Sequence, residues 1–129
     1  MHGGVEKENL KKEDTASLKK GLINLERHIL NIKKFGLEPI VAINHFALDT
    51  KKEIDVVLNF CKDMKVQVSE CKHWAMGSKG TTDLAKKVVK ICKDSKKSNF
   101  KFLYEDSLNL WDKIEKIVKE IYRGDKVIA

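Results

Sequence analysis

The sequence predicts an α/β fold built on one β-α-β unit, with parallel strands flanked by helices. Three observations carry this prediction. Two short segments are predicted as strands, residues 38–44, which contain an apolar run, and VQVSE at 66–70. The segments around them repeat apolar residues every three or four positions, as amphipathic helices do. Finally, 129 residues of 42% hydrophobic composition are enough for a single domain with a core.

The first helix is predicted between a polar N-terminal loop and a glycine. Residues 1–14 are polar and contain two glycines, which indicates a loop. From Ala16 to about Phe35, apolar side chains recur on one helical face, and Gly36 ends the helix. The inward positions are predicted to be Leu18, Leu22, Leu25, Ile29 and Ile32.

The first strand and the helix after it begin the β-α-β unit. The strand extends from Glu38 to Asn44, and its PIVAI segment is apolar on both faces. Continuous apolar character predicts a strand buried between helix layers, as in a parallel sheet. Either Asp49 or Thr50 is predicted to cap the next helix, which ends near Met64.

The second strand, VQVSE at 66–70, is followed by a predicted loop, HWAMGSKGTT. Helices are predicted over 82–93 and 108–123, separated by the polar stretch KDSKKSN, and Gly124 ends the last helix. The first of these helices carries the apolar residues Leu84, Ala85, Val88, Val89 and Cys92. The predicted inward positions of the last helix are Leu110, Ile114, Ile117, Val118 and Ile121. The crossover should be right-handed and bring the strands side by side. Because two strands rarely form a stable sheet alone, the pattern indicates part of a larger α/β domain.

Composition excludes several classes of protein. No run approaches the roughly 18 apolar residues of a membrane span, and MHGGVEKENL lacks the apolar centre of a signal peptide. We therefore expect a cytoplasmic chain with no membrane partner. The three cysteines, Cys61, Cys71 and Cys92, match neither a disulfide framework nor a paired-cysteine metal motif, so no metal site is predicted.

The net charge of +7 has two explanations. Most lysines alternate with acidic residues on predicted helices, which is typical of a solvated helix face. The densest basic segment, 86–102, mixes lysines with Phe100 and Phe102 and leaves nucleic-acid binding as an alternative. The absence of arginines and of a known motif in that segment disfavours a nucleic-acid partner.

Two loops follow the predicted strands at the sheet edge where open α/β proteins bind ligands. NHFALDT follows the first strand and CKHWAMGSKGTT the second, so both should face one crevice. Each loop carries one aromatic side chain, Phe46 or Trp74. Two facing rings could clamp a flat heterocycle, and stacking contributes about 1–3 kcal/mol per base-like ring. The pattern alone favours the alternative, in which both rings fill the edge of the core, because aromatic side chains are more often core than ligand platforms.

The second loop also has features of an anion site. Gly77, Lys79 and Gly80 precede a predicted helix, and glycine-rich backbone at a helix N-terminus favours anions. The segment GSKGTT does not match the phosphate loop GxxxxGK[ST], so the pattern alone is weakly specific.

The remaining polar residues of the two loops form no familiar constellation. Asn44 and Asp49 are spaced differently from the base-reading Asn-Lys-x-Asp of GTP-binding proteins. His45 and His73 each lie beside an aromatic residue but show no triad or metal spacing. Catalytic residues therefore stay unassigned.

The whole chain resembles formate–tetrahydrofolate ligase, also called formyltetrahydrofolate synthetase. Six stretches carry the resemblance in family order, namely MHGGV, NLERHILNIKKFG, VAINHFALDT, CKHWAMGSKGTTDLA, SNFKFLYE and DKIEKIVKEIYRGDKV. The resemblance implies a P-loop-NTPase-like three-layer α/β domain, of which residues 1–129 are a single internal segment. It also implies an activity, the ATP-dependent joining of formate to tetrahydrofolate through formyl phosphate. ATP and Mg²⁺ would be co-substrates of the complete enzyme.

The resemblance also implies roles for individual residues. The folate pterin ring would stack between Phe46 and Trp74, which are 28 residues apart in the chain. The residues implied to line or shape the same pocket are Asn44, Asp49, Gly77, Lys79 and Gly80. Three positions depart from the family pattern. Many members have Lys or another residue at the position of His45, Pro at that of Ala47 and Gly at that of Ser78.

The family's phosphate loop and its adenine-binding C-terminal part have no counterpart in this chain. We therefore expect the chain alone to bind no ATP and to lack ligase activity, and to act with the rest of a ligase chain or as a homo-oligomer. The alternative is a non-catalytic module that binds folate, a nucleotide or a partner, or an inactive remnant.

Overall fold

The two strands form a parallel sheet, as predicted. In a computed structural model that describes residues 3–94 and 99–128, strand β1 is Ile40–Asn44 and strand β2 is Gln67–Cys71. Each residue of β1 faces one residue of β2 in an unbroken parallel register. The chain is thus α/β, and the predicted β-α-β unit is confirmed.

Five α-helices lie within the described residues: α1 is Thr15–Lys34, α2 Lys51–Asp63, α3 His73–Met76, α4 Thr82–Asp94 and α5 Leu110–Ile117. Short 3-10 turns cover Lys7–Asn9 and Gly77–Thr81, and a π-helical turn, Val118–Tyr122, continues α5. The first, second and fourth helices therefore agree with the predicted spans within a few residues.

The helix starts are fixed by side-chain caps. Asp14 accepts the backbone N–H of Ser17 at 2.9 Å at the start of α1. At the start of α2, Thr50 and Glu53 form a capping box, in which each side chain accepts the other residue's backbone N–H. Of the two predicted caps, Thr50 is therefore the one used, and Asp49 has a different role in the loop before it.

The core lies where α1, α2 and β2 meet. Its buried apolar residues are Leu22, Ile29, Ile54, Cys61, Val66 and Cys71. Burial raises the pKa of the Cys61 thiol, because a thiolate would lose its hydration there.

Burial is less extensive than the apolar patterns predict. Ala42 is exposed, so β1 is not buried on both faces. Ile32 is 42% exposed, and neither α4 nor α5 contains a buried residue. The inward prediction is therefore wrong for Leu110 and Ile114, which are exposed, whereas Ile117, Val118 and Ile121 are half-buried. The physical reason is that a two-stranded sheet offers too little surface to cover every apolar face.

Three other predictions differ from the structure. The second loop is not irregular, because it folds into α3 and the 3-10 turn. The last helix begins at Leu110, after the cap Asn109, and changes to π-helical geometry before Arg123. Arg123, not Gly124, adopts the left-handed conformation that ends it. Part of the polar stretch KDSKKSN, residues 95–98, lies outside the described residues.

A lysine covers part of the outer edge of β2. The N–H of His45 donates to the Cys71 carbonyl, so that carbonyl points toward β1. Because successive carbonyls of a strand point to opposite sides, the Val68 carbonyl, three residues earlier, points away from β1. The Lys87 Nζ donates to that carbonyl at 2.6 Å. A charged side chain at an open edge discourages pairing with another strand.

Candidate functional site

Phe46 and Trp74 lie against each other at the carboxyl ends of β1 and β2. Their ring centroids are 5.9 Å apart and their planes are inclined by 36°. The side chains are 47% and 71% exposed, so neither ring fills the core of the described part of the chain. We call these two residues the aromatic pair.

Both residues of the aromatic pair line an open apolar cavity of about 280 Å³. Its lining residues are His45, Phe46, Ala47, Lys72, Trp74 and Ala75. Sites that enclose a whole drug-sized ligand have about 300–1,000 Å³. The cavity is therefore sized for one flat group held at the protein surface rather than for an enclosed ligand.

A tight turn holds Phe46 in the first loop. The Asp49 carboxylate accepts the backbone N–H of Phe46 at 2.8 Å, and the Asp49 N–H donates to the Phe46 carbonyl at 3.1 Å. The two bonds close a four-residue turn from Phe46 to Asp49, which fixes the backbone that carries the ring. Asn44 is the exposed last residue of β1 and does not line the aromatic cavity.

The second loop is held by a close backbone contact. The N–H of Lys72 donates to the Gly80 carbonyl at 3.0 Å. A Cβ atom at Gly80 would lie 2.6 Å from the Lys72 carbonyl oxygen, inside van der Waals contact. Glycine at this position therefore lets the 3-10 turn pack against the residue two positions before Trp74.

The other residues of the 3-10 turn have different conformational requirements. Gly77 has a φ of 57° and a ψ of −145°, a region that is essentially restricted to glycine. Ser78 has no positive φ, so a non-glycine residue fits there without strain. The exposed Lys79 and both glycines lie outside the lining of the aromatic cavity.

A polar bridge joins the two loops below the aromatic pair. The Glu70 Oε1 atom lies 2.5 Å from His45 Nδ1 and 3.0 Å from Lys72 Nζ. His45 and Glu70 are both less than one-third exposed. We call these three residues the loop bridge.

The charges of the loop bridge follow from its contacts. The Lys72 ammonium group first, and the His45 ring second, hold the pKa of Glu70 below its ordinary value. An ionised carboxylate only accepts hydrogen bonds, so His45 Nδ1 carries the proton and donates it.

Sequence reasoning missed Glu70, because nothing in the spacing of residues 45 and 70 predicts contact. Only the parallel register, which places Asn44 opposite Cys71, reveals it.

The described residues contain neither a metal-binding cluster nor a membrane-spanning helix. No group of three or more His, Cys, Asp and Glu side chains within residues 3–94 and 99–128 is placed to hold a metal ion. Among the helices described, none is long and apolar enough to cross a membrane.

Comparison with known proteins places the chain in a family. The family model of formate–tetrahydrofolate ligase matches residues 1–129. The chain belongs to the formate–tetrahydrofolate ligase family. It is 52% identical over its full length to a formate–tetrahydrofolate ligase of Pelagibacter ubique (strain HTCC1062). It is 50% identical over 127 residues, 98% of the chain, to the enzyme of the same name from Staphylococcus aureus (strain JH9).

The match covers only part of each formate–tetrahydrofolate ligase. The chain spans 23% of the Pelagibacter protein and 22% of the Staphylococcus protein. The activity of the whole enzyme is therefore not a property that these relatives establish for this chain.

The resemblance to formate–tetrahydrofolate ligase implies a set of folate-site residues, and the structure places only some of them at the aromatic cavity. Phe46 and Trp74 touch each other, and Asp49 holds the Phe46 backbone. Gly80 supports the second loop through Lys72. Five of the selected residues lie outside the lining of the aromatic cavity, namely Asn44, Asp49, Gly77, Lys79 and Gly80.

Proposed function

We propose that this chain supplies the folate-stacking loops of an ATP-dependent ligase that joins formate to tetrahydrofolate. The product would be 10-formyltetrahydrofolate, made through formyl phosphate. The single observation that carries the proposal is the contact between Phe46 and Trp74 at the ligand-binding edge of the sheet, in a chain that belongs to the ligase family.

The aromatic pair is suited to a pterin ring. A flat ring between two others needs about 3.5–4.0 Å on each side, so the ring centroids must move further apart than the present 5.9 Å. Because Phe46 is carried by a loop, Trp74 by the four-residue helix α3, and both side chains are largely exposed, we expect that an increase of about 1–2 Å in the centroid distance is sufficient for the ring to enter. The pterin would then be stacked on both faces, and its edge would face the side of the cavity lined by His45 and Lys72.

The other substrates are assigned to other parts of the longer protein. The described residues provide no carboxylate cluster for Mg²⁺, and the 3-10 turn over Gly77–Thr81 does not match a phosphate loop. The residues present thus do not fit ATP–Mg, and we derive no phosphoryl-transfer step from them. We propose that a P-loop-like three-layer domain, completed by the rest of the ligase chain, binds ATP and formate.

The test of the folate site is a pair of substitutions. Phe46→Ala and Trp74→Ala should abolish measurable tetrahydrofolate binding in equilibrium titrations. Because both rings are exposed, the free energy of unfolding should fall by about 1 kcal/mol or less. A buried aromatic residue would cost about 3–5 kcal/mol when truncated to alanine. Phe102→Ala, at an exposed aromatic outside the two loops, is the matched control.

Two outcomes would contradict the proposal. Unchanged tetrahydrofolate affinity in both variants would show that the rings do not hold the pterin. A loss of stability on the scale of a core aromatic would assign the rings to the core instead.

A second test concerns catalysis. The purified 129-residue chain should form no product from ATP, formate and tetrahydrofolate. Product formation by this chain alone would contradict the assignment of ATP and formate to other parts of the longer protein.

A further inference from the structure

The loop bridge connects the two loops that carry the aromatic pair. His45 immediately precedes Phe46, and Lys72 lies two residues before Trp74. Glu70 contacts both through one oxygen atom, Oε1. A single carboxylate is therefore bound to both sides of the cleft between the rings.

The bridge also lies next to the cavity rather than in a distant part of the fold. His45 and Lys72 both line the aromatic cavity. The backbone on each side of the bridge is already fixed, because the His45 N–H donates to the Cys71 carbonyl and the Lys72 N–H donates to the Gly80 carbonyl. The side-chain contacts of Glu70 with His45 and Lys72 thus connect the two chain segments just past the last paired residues, Asn44 and Cys71.

We propose that Glu70 is a positioning residue that sets the separation of Phe46 and Trp74 through His45 and Lys72. This inference rests on the proposed folate site for its functional consequence. The geometric part stands without folate, because it concerns the distance between two rings in the free protein.

The physical basis is that short charge-assisted contacts restrict both loops together. A carboxylate with two cationic or N–H partners resists displacement of either partner, and such hydrogen bonds are stronger than neutral ones. Without the carboxylate, the Lys72 ammonium group and the His45 Nδ1–H would lose their shared acceptor and turn to solvent or to other partners. Either response changes the contact between the rings that these residues support.

The experiment uses Trp74 as the reporter in a Trp111→Phe background, where it is the only tryptophan. Glu70→Gln and His45→Gln are each compared with this parent. The measurements are Trp74 emission and acrylamide quenching without ligand, then tetrahydrofolate affinity, then urea unfolding. Glu120→Gln is the matched control, because it removes another long-range ion pair, with Lys34 at 2.7 Å, away from the two loops.

Both bridge variants should change the emission and quenching of Trp74 in the folded protein, and the control should change neither. Tetrahydrofolate affinity should fall by up to about fivefold, which is the range measured for partly exposed ion pairs. The double variant should resemble Glu70→Gln, because both substitutions remove one shared contact.

The proposal is overturned if Glu70→Gln and His45→Gln leave Trp74 emission and quenching unchanged while the protein stays folded. A merely structural bridge would lower the free energy of unfolding without moving these native-state signals. If Glu70→Gln does not fold, His45→Gln decides, because it keeps the contact between Glu70 and Lys72. If the parent protein does not bind tetrahydrofolate, the folate site fails, and the fluorescence result still decides the role of Glu70.

Discussion

Gly77 and Gly80 show how two residues of one type have different functions in one loop. Gly77 adopts dihedral angles that side chains oppose, although the space around its Cβ position is open. Gly80 has no unusual φ but packs against the Lys72 carbonyl. Sequence reasoning identified both glycines as parts of a pocket, whereas the structure assigns them to the backbone that positions Trp74.

Alanine substitutions should separate these roles. Gly77→Ala and Gly80→Ala should each reduce the free energy of unfolding by about 1–3 kcal/mol, the first through backbone strain and the second through overpacking. Ser78→Ala should change it by less than about 0.5 kcal/mol, because Ser78 is exposed and unstrained. Urea unfolding measures all three, and equal stability of the Ser78 and Gly80 variants would contradict the close contact.

The Glu70 carboxyl gives a prediction about pH. Its pKa is lowered by Lys72 and, to a smaller extent, by His45. A carboxyl whose pKa is lower in the folded state stabilises the protein above its unfolded-state pKa of about 4.3. That contribution is lost as the pH falls through the folded-state value.

Carboxyl NMR titration should therefore place Glu70 below an ordinary glutamate. Lys72→Met should raise its pKa more than His45→Gln does, because the ammonium group is the larger cause. The reverse order would contradict the contacts of the loop bridge. Lys119→Met, in the π-helical turn after α5, is a control that should leave the pKa of Glu70 unchanged.

At the scale of elements, local signals predicted the boundaries of α1, α2 and α4, and of α5 together with its π-helical turn, to within two residues. Thr50 and Glu53 have the spacing of a capping box, and the structure contains that box. Glu53 also accepts the Asp14 N–H at 3.1 Å, so one side chain joins the starts of α1 and α2. The end of the last helix was wrong by a residue, because Arg123 takes the left-handed turn that glycine usually provides.

Loss of the capping hydroxyl should destabilise the unit that carries the site. Thr50→Ala should lower the free energy of unfolding by about 1 kcal/mol, while Thr50→Ser, which keeps the hydroxyl, should lose much less. Chemical denaturation followed by circular dichroism measures both. Equal stability of the alanine and serine variants would exclude a role for the cap.

For the whole molecule, the sequence predicted the order of elements and their pairing but overestimated the core. The β-α-β order follows from apolar periodicity, which is local. Burial of Val88 or Ile114 depends on what packs against α4 and α5, and local pattern does not contain that information. The contact between His45 and Glu70 likewise depends on strand register, which only the assembled sheet fixes.

The exposed apolar surface leads to a prediction for the isolated chain. Phe102, Leu110, Tyr122 and other large apolar residues are exposed, and large apolar patches usually mark contact surfaces. The purified chain should therefore bind the dye ANS, and a longer polypeptide that includes the family's flanking segments should bind less per molecule. Equal dye binding by the two proteins would show that the flanking segments do not cover this surface.

The parallel register has a consequence for how this segment can change in length. Helix α2 has 13 residues, and its buried Ile54 and Cys61 lie on one face, toward β2. Inserting or deleting one residue there turns half of the helix by about 100°, which moves one of these side chains out of the core or shifts β2 against β1. Phe46 and Trp74 would then no longer meet. Length variation should therefore be rare between the two strands, so an alignment of this family should show few gaps there.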